Sequence, residues 1–222
     1  MQNLIGQIGV LLGSSWASGV NLYLTVAGLG IAQRVGAIDL PGDMSVLSHP
    51  LIITASVLMF AVEFFADKIP GLDSFWDSVH TAIRPVGAAA MGFMAMTEIG
   101  PIGQIPVALM MGAVSADSHL TKATTRLAIN TSPEPVTNSI ASITEDSLVL
   151  GALYLVIKHP VIAGICVVLF ILFSIWFLKV MFRFVKKLFK IFSGSKPGTS
   201  DPQREGTRID PDIDPDVLDK SL

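Results

Sequence analysis

HPVIAGICVVLFILFSIWFL, residues 159–178, is a run of twenty residues without a formal charge. At about 1.5 Å per residue, a helix of that length spans the roughly 30 Å hydrocarbon core of a bilayer. Residues 51–62 and 85–97 are also apolar and charge-free, and one small soluble core has no room to bury all three. Composition agrees: of 222 residues, 51% are hydrophobic and 15% charged, against about 25% charged in ordinary soluble domains. The charges are also unevenly placed. Residues 1–33 carry none, whereas residues 193–222 hold 11 of the 33.

Working outward from the decisive run, Lys158-His159-Pro160 reads as a turn. A helix over 136–157 precedes it, with Glu145 and Asp146 near the middle, and Thr131-Ser132-Pro133-Glu134-Pro135 forms the loop before that. Residues 103–126 read as another crossing, whose later half carries Asp117, His119, Lys122 and Arg126. Residues 73–84 read as a short surface helix, followed by a crossing that opens at Pro85 and ends near Thr97. Pro50 suits the first turn of a helix over 50–66, because its missing N–H costs nothing there. The first apolar stretch, residues 4–35, is too long for a simple span. It is expected to break at residues 13–21, where Ser14, Ser15, Ser18, Gly19 and Asn21 lie.

The expected architecture is an all-α polytopic membrane protein of about six crossings with a broken first helix, occupying residues 1–192. Residues 193–222, rich in Pro, Gly and Asp, read as a disordered acidic tail. Lys179, Arg183, Lys186, Lys187 and Lys190 directly follow the last apolar run. By the positive-inside rule they set the C-terminus in the cytoplasm of an inner-membrane protein. Residues His49-Pro50-Leu51-Ile52 recur as His159-Pro160-Val161-Ile162, and Gly13, Ala17 and Thr25 align on Gly112, Ala116 and Thr124. Internal repeats of this kind accompany broken helices in secondary transporters.

Ionisable groups in an apolar context face a cavity, a partner or a function. Glu63 and Asp67 are four apart and share a helix face. Asp73, Asp77, His80 and Arg84 form one stripe at spacings of four, three and four, which is either a solvated interfacial face or part of the site. Asp117, His119, Lys122, Arg126, Glu145 and Asp146 complete a candidate polar core. Three readings follow. The first is a transporter or channel-like path for a cation, a proton or a small polar solute, with backbone carbonyls offered at the broken helix. The second is a structural or scaffold protein in which buried ion pairs fix the helix packing. The third is a metal-dependent, membrane-embedded enzyme acting on lipid, with His80 and His119 beside Asp73, Asp77 and Asp117. No HExxH, GxSxG or spaced cysteine pair occurs, and the single Cys166 leaves no intrachain disulfide. The residues name neither cofactor nor catalytic group. The lipid bilayer is the expected partner, association with a second copy stays open, and nothing points to nucleic acid.

Several stretches resemble a family of integral-membrane proteins known only as a domain of unknown function, numbered 4126. They are Ser18-Gly19-Val20-Asn21-Leu22-Tyr23, the segment from Glu63 through Asp67-Lys68-Ile69-Pro70-Gly71 to Asp73, and Trp76-Asp77 through His80 to Arg84-Pro85. Residues 115–125 and Glu134-Pro135-Val136-Thr137-Asn138-Ser139 continue the resemblance, which omits the tail. It implies a multi-pass membrane protein with bacterial and plant members, and it supplies no substrate or catalytic role.

The six-crossing topology is checked by reporter fusions placed after Gly42 and after Ser195. They should report opposite sides of the membrane, and a common side would exclude that topology.

Overall fold

The computed structural model describes residues 4–69, 71–130 and 135–193, with side chains uncharacterised at Pro135, Val185 and 187–193. The described residues form seven α-helices: α1 (Leu4–Val20), α2 (Leu22–Arg34), α3 (Pro50–Ala66), α4 (Leu72–Ala95), α5 (Pro101–Ile129), α6 (Pro135–Lys158) and α7 (Pro160–Ser193). Short 3-10 turns at Gly42–Ser48 and Thr97–Ile99 precede α3 and α5. The chain divides into two compact units, Met1–Phe182 and Arg183–Leu222. The expected tail, Ser193 apart, lies outside the described residues, as do the side chains of Lys187 and Lys190.

Local chemistry sets the helix boundaries. His49 caps α3, its Nδ1 accepting from the Leu51 amide at 3.3 Å, and Pro50 fills the first turn. The second His-Pro pair also stands at a helix start, with α7 opening at Pro160. Gly71 and Gly100 adopt φ of 88° and 74°, a left-handed conformation that glycine enters without a Cβ clash, and α4 and α5 begin immediately after them.

Helices α6 and α7 are long and apolar enough to cross a membrane, over Val136–Lys158 and Pro160–Phe184. The turn at Gly42–Ser48 with α3 makes a third crossing if that pair, bent by 68°, is one span. Large apolar side chains on α6 and α7, among them Ile140, Leu150, Tyr154, Ile165, Leu172 and Trp176, are exposed as a lipid-facing surface requires. Helix α1 is the opposite case. Eleven of its residues are buried, and Val10, Leu11 and Ala17 join Leu29, Met44, Met91, Met111, Val149 and Val156 in one core.

Two expectations change. Residues 13–19 do not break the first helix: α1 continues through them and the interruption is confined to Asn21, which is extended at φ −149° and ψ 100°. Ser14 and Ser18 turn their hydroxyls back onto the carbonyls of Val10 and Ser15, at 2.6 and 2.8 Å. Ser15 donates to the Met111 carbonyl of α5. A Cβ on Gly19 would stand 1.9 Å from Ser118 Oγ. The small residues therefore serve close approach of α5 to α1, not a break. Likewise, α4 is a single helix through Pro85, with no boundary between surface helix and crossing. The turn at Pro85 is packed, because Gly112 of α5 lies so near that its Cβ would sit 3.3 Å from the Pro85 carbonyl oxygen.

A second close crossing joins α1 to α7, where a Cβ on Gly9 would fall 1.9 Å from the Pro160 carbonyl oxygen. Gly9→Ala should lower the detergent melting temperature by several degrees, since overpacking against backbone costs about 1–3 kcal/mol. Gly151→Ala, with nothing within 4 Å of the new Cβ, should be neutral or slightly stabilising. Equal melting of the two variants would show that α1 and α7 do not meet at this point.

Candidate functional site

Helical spacing brings four polar stripes to one place. Glu63 and Asp67 end α3, Asp77 and Arg84 lie on α4, Lys122 and Arg126 on α5, and Glu145 on α6. The pairs are four, seven and four residues apart within their helices, hence each on one face. All are buried except Glu145, whose side chain is 16% exposed.

Lys122 stands at the centre. Its Nζ lies 3.1 Å from Asp67 Oδ2, 3.4 Å from Glu145 Oε2, 3.6 Å from Glu63 Oε1 and 3.9 Å from Asp77 Oδ1. A fifth oxygen, the Val20 carbonyl, is 3.3 Å away. Arg126 forms a bidentate pair with Glu145, Nε to Oε1 at 2.8 Å and Nη2 to Oε2 at 2.6 Å. It also reaches the Asp67 carbonyl at 3.0 Å. Arg84 donates from Nη2 to Glu63 Oε1 at 2.6 Å and from Nη1 to the Gly19 carbonyl at 3.2 Å. The interruption at Asn21 leaves carbonyls at the end of α1 without helical partners, and cations from α4 and α5 satisfy them.

Both buried histidines have fixed roles. An arginine only donates, so the 2.8 Å contact from Arg84 Nη1 makes His119 Nδ1 an acceptor, and the ring proton sits on Nε2 toward Thr81 Oγ1 at 3.1 Å. His80 Nδ1 donates to the Trp76 carbonyl at 2.8 Å, which leaves Nε2 to accept from the Tyr23 hydroxyl at 3.0 Å.

Two expected members stand apart. Asp117 is two residues from His119, about 200° around the helix, and its Oδ2 accepts from Ser174 of α7 at 2.7 Å. Asp73 organises the edge of the cluster instead, accepting from the Gly71 and Ser74 amides at 2.9 and 2.6 Å and from Asn130 Nδ2 at 2.8 Å. Asp146 takes the Nδ2 of Asn21 at 3.0 Å. Of the expected helix-break residues, Ser14, Ser15, Ser18 and Gly19 belong to the α1–α5 contact, and Asn21 alone occupies the break. With His80 and His119 committed and Asp117 turned away, the proposed metal ligands do not converge. Among the described residues, no group of three or more His, Cys, Asp or Glu is arranged to hold a metal. Tyr23, Thr81, and the Gly19 and Val20 carbonyls join the site without any charge to mark them in the sequence. A cavity of about 400 Å³ leads to Lys122 and Glu145, walled by Trp16, Thr125, Thr144 and Phe170 among others.

Residues 8–180 match the profile of the family described as Domain of unknown function (DUF4126). No curated protein and no solved structure matches the chain.

Asn21 holds two ends of this arrangement, its Oδ1 capping α2 through the Leu24 amide at 2.9 Å while its Nδ2 serves Asp146. Asn21→Ala should cost about 1–2 kcal/mol for the cap, read as a lower melting temperature. Asn21→Asp keeps the cap acceptor but sets a carboxylate against Asp146, and it should melt at or below the alanine variant. If Asn21→Asp melts like the unaltered protein, the Asp146 contact carries no weight.

Proposed function

The chain belongs to the DUF4126 family, whose members carry no assigned activity, and we propose from its own geometry that it is a multi-pass membrane scaffold whose helices are held by a buried ion network. The observation that carries this reading is the position of Lys122 Nζ, among four carboxylates and a backbone carbonyl within 4 Å. In a conduit, that ring of oxygens is the place of a cation that enters and leaves. Here the cation is tethered to α5, and Arg84 and Arg126 complete the set as fixed charges.

Such a network fixes geometry more than it adds stability. Desolvating the ions offsets most of their attraction, yet removing one partner from a buried pair costs about 3–5 kcal/mol, because the other is stranded. Helices α3, α4, α5 and α6 are thereby held in one register around α1. The lipid-facing surfaces of α6 and α7 are left free to meet bilayer or another membrane protein. Six crossings, counting α1 and α2 as one, and a cytoplasmic C-terminus following Lys179 and Lys186 complete the proposal.

Transport finds support in the cavity that reaches Lys122 and Glu145, and one paired experiment separates it from the scaffold. Glu145→Gln removes a charge from Lys122 and Arg126 while keeping shape. In a scaffold, the variant should melt several degrees lower, and neither protein should raise sodium, potassium or proton flux in proteoliposomes above protein-free vesicles. Flux in the unaltered protein that vanishes in a normally melting variant would overturn the scaffold reading.

A further inference from the structure

The charges of the network do not balance. Glu63, Asp67, Asp77 and Glu145 surround Arg84, Lys122 and Arg126, four carboxylates to three fixed cations. Asp73 and Asp146 stand outside these ion pairs, held by amide donors, and Lys68, the next cation along the chain, donates to the Phe64 carbonyl at 2.8 Å instead of joining them. An uncompensated buried carboxylate costs several kcal/mol and is avoided by taking up a positive charge.

The geometry identifies the carboxylate left over. Glu145 receives two hydrogen bonds from Arg126, Glu63 receives one from Arg84, and Asp67 receives them from Lys122 and Arg126. Asp77 receives none at either oxygen, although its side chain is only 5% exposed. Its nearest cations, Arg84 Nη2 at 3.5 Å and Lys122 Nζ at 3.9 Å, both stand closer to another carboxylate. The ionisable groups around it are His80 and Arg84 on α4, Glu63 and Asp67 from α3, His119 and Lys122 from α5, and Glu145 from α6. His119 is bound as a neutral ring, and His80 forms no ion pair among the described residues. Burial favours its neutral form, as do the three carboxylates that share Arg84 or Lys122 with Asp77, and the two cations oppose it.

We propose that the polar core binds one exchangeable proton, held on the Asp77 carboxyl. Hydronium gives the proton to a carboxylate oxygen and leaves as water, and the network becomes neutral with one acid, three carboxylates and three cations. The site stands whether the protein proves to be a scaffold or a conduit. Because the proton is bound more tightly in the folded protein than in the unfolded chain, the stabilisation is fully present at low pH. It is lost as pH rises and the proton leaves Asp77.

The test is melting of the full-length protein in detergent from about pH 5 to about pH 9, for the unaltered chain and for Asp77→Asn, which mimics the protonated acid. The unaltered protein should melt progressively lower as pH rises. The asparagine variant should show a flatter profile and match or exceed it at the alkaline end. Equal slopes would overturn the proposal, and so would a variant several degrees less stable at every pH, which would make Asp77 an ionised partner. Infrared spectra of the unaltered protein supply a second measurement, independent of whether the variant folds. A protonated-carboxyl carbonyl band should be present, shift in deuterated water and fade as pH rises, and its absence throughout would also overturn the assignment. Alkaline melting restored by sodium or potassium chloride, and not by choline chloride, would give the fourth charge to a metal cation instead.

Discussion

The packing of the described helices depends on surrounding buried charge with opposite charge. Lys122 Nζ, within 4 Å of four carboxylates, is where that requirement is met most densely. Those carboxylates come from the end of α3, the first half of α4 and the middle of α6, so one ammonium group fixes three other helices relative to α5. Apolar packing alone discriminates poorly between helix arrangements in lipid, where one greasy face serves as well as another. A misplaced charge is costly, and the ionic cluster therefore selects one arrangement among many that the core would tolerate.

The interruption between α1 and α2 belongs to the same scheme. A broken helix releases carbonyl groups that neither lipid nor their own helix can satisfy. Asn21 closes one side by capping α2, and Arg84 and Lys122 close the other by donating to Gly19 and Val20. Backbone and side-chain acceptors thus draw on the same three cations, which accounts for the burial of those cations in an otherwise apolar bundle.

Much of this was legible in the sequence because helical spacing is strict. Glu63 and Asp67, the stripe from Asp73 to Arg84, and His119 with Lys122 and Arg126 each announce a common face before any coordinates. Asp117 was misleading for the same reason, since two residues along a helix point nearly opposite ways and proximity in sequence hid this. Residues 13–19 were ambiguous in a deeper sense, because small side chains permit a bend and a close crossing equally well. The choice was made by Ser115, Ser118 and Met111, about a hundred residues away. Crossing number was hard to read because α4 and α5 each join an apolar half to a charged half, which a hydropathy average blurs. The tethered position of Lys122 depends on four elements meeting in space, and no local pattern encodes it.

The interruption at Asn21 also imposes an order on biogenesis. The ribosome delivers α1 and α2 first, with exposed Gly19 and Val20 carbonyls, then the acids of α3 and α4 with only Lys68 and Arg84 as cations among them. Lys122 and Arg126 arrive only with α5, and Glu145 later still with α6. Without α5, those helices form an acidic set whose Val20 carbonyl lacks the Lys122 donor. The groups that complete the first third of the polypeptide thus all lie in its middle third.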